Sequence, residues 1–161
     1  MTVIELEEYR PVARATVITD ASFCPHTKSA GWAAWVTLNI PGRPVERVKQ
    51  YGAFQQRPKS STEAELWAAW NGIWLAYRHG ARHILCQTDC LAVVRNPSSG
   101  RRGMSYSEIK ATHWPEAVVQ FRHVKGHTNR DEPRFFVNRW CDEQAGRVMR
   151  KQRKQNHRRR K

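Results

Sequence analysis

The apolar pattern of this chain changes period once, at Ser61, and that change restricts the folds open to it. Ahead of Ser61 the apolar residues come in short, turn-bounded runs that suit strands. One strand is expected from Val12 to Asp20 and a second over Gly31–Leu38. In the third, Val45–Phe54, Val48, Gln50 and Gly52 alternate with Lys49, Tyr51 and Ala53. Turns at Pro25 and at Pro41-Gly42 join them, which makes an antiparallel meander. After Ser61, the residues Leu66, Ala69, Trp70, Ile73 and Tyr77 fall at the spacing of one helical face. Ser61 or Thr62 is placed to cap that helix and Gly80 to end it.

Further on, His83–Asp89 reads as a short strand that ends on an acid, and Leu91–Val94 as a short helix. A loop at Asn96–Gly103 leads to a helix over Ser105–His113, stopped by Pro115. Val118–Val124 alternates like a strand, Lys125-Gly126-His127 opens a polar loop, and a last helix is expected from about Asn138. A hairpin sheet extended by strands that arrive after helices is an α/β arrangement, a mixed sheet with helices on its faces.

At 161 residues, 40% of them hydrophobic and seven of them Trp, the chain is long enough for one domain with a real core. Its formal charge of +14 favours polyanions, nucleic acid first, although charge does not show catalysis. No apolar run approaches the roughly 20 residues of a membrane span. The start, with Glu5, Glu7 and Glu8, is unlike a signal peptide, so a cytoplasmic location and no membrane partner are expected. Cys86 and Cys90, even with His83, lack a second ligand pair for zinc. Together with Cys24 and Cys141 they read as free thiols.

Four acids stand in suggestive places. Asp20 and Asp89 end strands, while Glu65 and Asp142 lie near helix starts. Strand ends and helix starts meet at one edge of an α/β sheet. Four carboxylates gathered there would repel one another at neutral pH unless cations held them. Hard cations with oxygen ligands, Mg²⁺ or Mn²⁺, are the natural partners. Taken singly, each acid is equally well a helix-dipole or turn residue.

In this order the residues resemble the type 1 ribonuclease H family. The matching pieces are TDAS around Asp20, TEAEL around Glu65, QTDC around Asp89, VKGHT around His127 and CDEQA around Asp142. The resemblance covers about residues 12–147. It implies a ribonuclease H-like five-stranded mixed sheet in the order β-β-β-α-β-α-β-α. It also implies cleavage of the RNA strand of an RNA/DNA hybrid to 5′-phosphomonoesters, by a monomer using two Mg²⁺ ions, with Mn²⁺ a possible substitute. Asp20, Glu65, Asp89 and Asp142 would be catalytic metal ligands, and His127 would handle protons from a loop. Ser22, Ser61, Thr62 and Lys125 would lie on the substrate path. Residues 1–11 would be a lead-in and 148–161 a basic tail.

Two departures from the family pattern matter. Ser61, Thr62 and Glu63 stand where the family often has asparagines that read the RNA strand. The stretch from Asp89 to His127 is too short for the full basic handle helix of well-known bacterial members. Arg101 and Arg102, and the tail's Arg147, Arg150 and Lys151, are then the candidates for phosphate contact. Two other functions stay open: a module that binds hybrid or duplex without turnover, and a DNA-acting nuclease or strand-transfer enzyme of the same superfamily. Loss of a metal acid would mark the first, and none is missing. The KGH loop and the short last-helix motif argue against the second.

Overall fold

The computed structural model describes residues 11–97, 105–125 and 133–160. Five strands form one sheet: β1 (Arg14–Phe23), β2 (Ala30–Asn39), β3 (Glu46–Gly52), β4 (His83–Thr88) and β5 (Val118–His123). Their spatial order is β3-β2-β1-β4-β5. The β1/β2 and β2/β3 pairs are antiparallel, and the β1/β4 and β4/β5 pairs are parallel. The helices are α1 (Ser61–Arg78), α2 (Leu91–Arg95), α3 (Tyr106–His113) and α4 (Pro133–Arg158). The mixed five-stranded α/β sheet expected from the sequence is therefore present.

β1 and β2 are covered on both faces because their side chains alternate between two helices. Val17 and Val36 turn into the larger core under α1, with Leu66, Ile73 and Ala76. Ile18, Ala33 and Trp35 turn the other way, onto Cys141 and Ala145 of α4. Two glycines let the helices approach. A Cβ on Gly72 would stand 2.6 Å from both Val17 Cγ1 and Thr19 Cγ2. A Cβ on Gly31 would run into the Ala145 carbonyl oxygen and lie 2.7 Å from Val148 Cβ. Gly31→Ala is accordingly expected to cost about 1–3 kcal/mol through overpacking. In a chain of this size that is a fall in Tm of about 2–12 °C. Gly52→Ala is the control, since its Cβ would meet only Trp32 Nε1 at 3.8 Å. An unshifted Tm for Gly31→Ala would show that α4 does not seat on β2 this closely.

Three boundaries differ from the sequence expectation. β1 does not finish on Asp20; it runs on to Phe23 because β2 continues the ladder to Ala30. α1 is capped by Ser60, whose hydroxyl accepts from the Glu63 N–H at 3.1 Å, and not by Ser61 or Thr62. α4 begins at Pro133, earlier than Asn138, with proline in the first turn where its missing N–H costs nothing. It then runs unbroken across the expected boundary at 147/148. Gly80, at φ 100°, follows α1 as expected. None of the described helices is long and apolar enough to cross a membrane.

Candidate metal centre

The site lies where β1 and β4, parallel neighbours, carry Asp20 and Asp89 to the same end of the sheet. Asp20 is inside β1, almost fully buried, and its Oδ1 accepts from the Ala21 N–H at 2.9 Å. Asp89 follows the last residue of β4, in a short connection tied down on both sides. There the Cys90 N–H donates to Thr88 Oγ1 at 3.1 Å, and His123 Nε2 lies 3.1 Å from the Asp89 carbonyl oxygen. Glu65 reaches in from α1 as its fifth residue, near the helix start as the sequence suggested.

Carboxylate oxygens of Asp20, Glu65 and Asp89 lie within 4.8 Å of one another. Burial raises the Asp20 pKa to about 7, with the charge of Asp89 adding to it. Burial likewise raises Glu65 to about 10, helped by the charges of Asp20 and Asp89. Asp20 and Glu65, buried and crowded with Asp89 without a compensating cation, hold protons that free carboxyls would release. Glu65 Oε2 is buried and has no hydrogen-bond partner. An all-oxygen donor set with an unsatisfied buried oxygen fits a hard divalent cation. Among the described residues no other His, Cys, Asp or Glu group has this geometry. Cys86 in particular is a buried free thiol pushed up to about 12 by desolvation.

A family model described as reverse transcriptase-like matches residues 19–130, well over half of the chain. This chain belongs to that ribonuclease H-like family. The matched stretch contains Asp20, Glu65, Asp89 and His127 and stops short of Asp142. Solved structures of similar fold agree. The N-terminal RNase H domain of rv2228c from Mycobacterium tuberculosis superposes with a TM-score of 0.57 at 16% identity, covering 85% of this chain and 94% of that one. LC9-RNase H1, a type 1 RNase H with the type 2 active-site motif, gives 0.59 at 15% identity, covering 87% and 74%. RNase H1 from Halobacterium salinarum gives 0.54 at 13% identity, covering 86% and 98%. No curated protein matches the chain.

The other expected site residues of this ribonuclease H-like chain are distributed as follows. Asp142 is the tenth residue of α4, not in its first turn, and is exposed. Its charge acts on Asp20, but its carboxylate stands outside the close group of three. Ser22 is half-buried on β1, two residues past Asp20, so it shares that residue's side of the strand. Ser61 and Thr62 are exposed in the first turn of α1. Lys125 is exposed just beyond β5. Arg147, Arg150 and Lys151 are exposed on α4. His127, Arg101 and Arg102 lie outside the described residues.

The sequence reading missed Gln152, Asn156 and Arg57. Gln152 Oε1 accepts from the Ala30 N–H at 2.7 Å, Asn156 Nδ2 donates to Ser29 Oγ at 3.0 Å, and Arg57 donates to Asn156 Oδ1 at 2.9 Å. A signal was present. Ala145, Val148, Met149, Gln152 and Asn156 follow one helical stripe, apolar at first and then polar.

Proposed function

We propose that this chain hydrolyses the RNA strand of RNA/DNA hybrids in a divalent-metal-dependent reaction. The observation that carries the reading is the convergence of the Asp20, Glu65 and Asp89 carboxylates at the sheet edge, in a chain of the ribonuclease H-like family. Asp20, Glu65 and Asp89 would hold the metal, with Asp142 completing the shell from α4. Divalent ions bound there, Mg²⁺ or Mn²⁺, would supply an activated water and neutralise charge on the leaving oxygen.

The protein's own part is positioning and proton handling. Asp20 sits on β1 and Asp89 directly follows β4, its parallel partner, so their oxygens keep their places through the reaction. Glu65 comes from a helix locked against β1 at Gly72. Ser61 and Thr62 offer hydroxyls on the exposed first turn of the same helix, where a 2′-OH can exchange hydrogen bonds with them. A histidine can take or give a proton near neutral pH, and His127 would have that part here. His127→Ala should slow turnover by about 10²–10⁴-fold without abolishing it. A complete loss would point to metal ligation instead. The domain boundaries belong to the same proposal: a nuclease domain over 12–147, preceded by a lead-in and followed by the basic residues of 148–161.

The test compares matched RNA/DNA, RNA/RNA and DNA/DNA duplexes with Mg²⁺ and with EDTA. Cleavage confined to the hybrid and to Mg²⁺ supports the reading. Equal cleavage of DNA/DNA makes the chain a DNA-acting nuclease. Hybrid binding with no turnover makes it a binding module.

A further inference from the structure

We propose that the C-terminal half of α4 is a rigid arm that tracks the phosphate backbone of the duplex leading away from the metal centre, aimed by a polar lock to the β1–β2 turn. This rests on the proposed hybrid substrate and deepens it. From Asp142, whose charge reaches Asp20, α4 passes over Gly31, then Ala30, then Ser29. Since Ala30 pairs with Phe23 at the end of β1, the helix leaves the sheet at the edge that carries the acids. At 1.5 Å per residue, Arg158 lies about 24 Å along the helix from Asp142. That length matches roughly seven phosphates of one strand at 3.4 Å each along the duplex axis.

The two sides of the arm differ. The inner stripe, through Val148, Met149, Gln152 and Asn156, is half-buried against the body. Arg147, Arg150, Lys151, Arg153, Lys154 and Arg158 are all exposed. No acid follows Glu143. Arg147 and Lys151, Arg150 and Lys154, and Lys154 and Arg158 are like-charge pairs four residues apart, each of which weakens a helix. A polyanion laid along this face relieves that repulsion. The exposed face carries no apolar side chain to enter a lipid layer, which favours a nucleic-acid duplex over a membrane.

Gln152 and Asn156 are the positioning residues. Without them the charges remain but their direction is lost. A freely moving basic tail would bind a polyanion too, so the lock separates an aimed arm from a charged end.

The experiment measures hybrid binding in EDTA across a salt series. Arg150→Gln, Lys151→Gln, Lys154→Gln and Arg158→Gln are combined in one variant, and glutamine keeps helix propensity. Each lost contact should remove about 0.9 from the slope of log affinity against log salt on the B-form value. The combined variant should therefore be shallower by about 3.6 and bind at least about tenfold more weakly at 0.15 M salt. An unchanged slope in the folded variant overturns the arm. Gln152→Ala with Asn156→Ala should speed amide exchange at Ala30 and over 152–158 and weaken hybrid binding several-fold with every charge present. Unchanged exchange or unchanged affinity overturns the lock.

Hybrid at equal phosphate concentration should strip the chain from vesicles containing anionic lipid; failure to do so would assign the arm to membranes. If the wild type cleaves nothing but shows the arm-dependent slope, the hydrolysis reading fails and the arm stands. If it cleaves hybrid with a slope indifferent to the arm, the reverse holds.

Discussion

Asp20→Asn and Asp89→Asn should each abolish hybrid hydrolysis while leaving the fold and metal-free hybrid binding in place. Both carboxylates belong to the close oxygen group at the sheet edge. An amide keeps the shape and the Oδ1 that accepts from the Ala21 N–H, but it removes the charge that holds a divalent ion. What is lost is metal affinity and stabilisation of the transition-state charge, not core packing. The expected fall is at least about 10³-fold, in the range of removing a preorganised electrostatic group. Asp142→Asn should be milder, because its carboxylate is exposed and outside the group of three. Near wild-type cleavage by either of the first two variants with Mg²⁺ would show that the ligand assignment is wrong.

The same substitution should stabilise the metal-free protein at alkaline pH. The folded pKa of Asp20 is raised from 3.8 to about 7, chiefly by burial and then by the charge of Asp89. A raised carboxyl favours the fold in its protonated form. Its contribution is fully present below the unfolded pKa, is lost as pH rises toward 7, and stays lost above it. At about 1.4 kcal/mol per unit, metal-free folding is less favourable at pH 8 than at pH 4 by on the order of 4 kcal/mol from this group. In EDTA, the Tm advantage of Asp20→Asn over wild type should therefore grow between pH 4 and pH 8. Adding Mg²⁺ at pH 8 should raise the wild-type Tm and leave that of Asp20→Asn nearly unmoved, because only the wild type retains the ion. A pH-independent Tm difference would mean that Asp20 is not held in a dry, crowded site.

Most of this site was legible because each acid has a local signature. Asp20 and Asp89 close short β-branched or apolar runs, and Glu65 follows a cluster of capping residues before an apolar stripe. The antiparallel meander and the mixed sheet followed from the change of period, but the pairing of β4 with β1, which brings those acids together, is a long-range contact that no local pattern names. Boundaries were less legible where neighbouring residues compete for one role. Ser60, Ser61 and Thr62 can all cap a helix, and only the backbone course selects Ser60. The extension of β1 past Asp20 depends on a partner, Ala30, that no local pattern names. The early start of α4 did have a signal in Pro133, but its acidic, polar surroundings resemble a loop. Because α4 starts early, Asp142 falls in the middle of a long helix. The docking of Gln152 and Asn156 was hidden because amides among arginines look like any solvated helix face.

On the proposed function, three carboxylates at the sheet edge hold metal for cutting RNA within a hybrid. The most direct test of that function is a strand-resolved cleavage assay on an RNA/DNA hybrid, labelled separately on each strand, with Mg²⁺ and with EDTA. Internal fragments of the RNA strand alone, formed with Mg²⁺ and absent in EDTA, are the predicted result. Cutting of the DNA strand at a comparable rate, cutting that persists in EDTA, or an intact hybrid after prolonged incubation with Mg²⁺ or Mn²⁺ would contradict it.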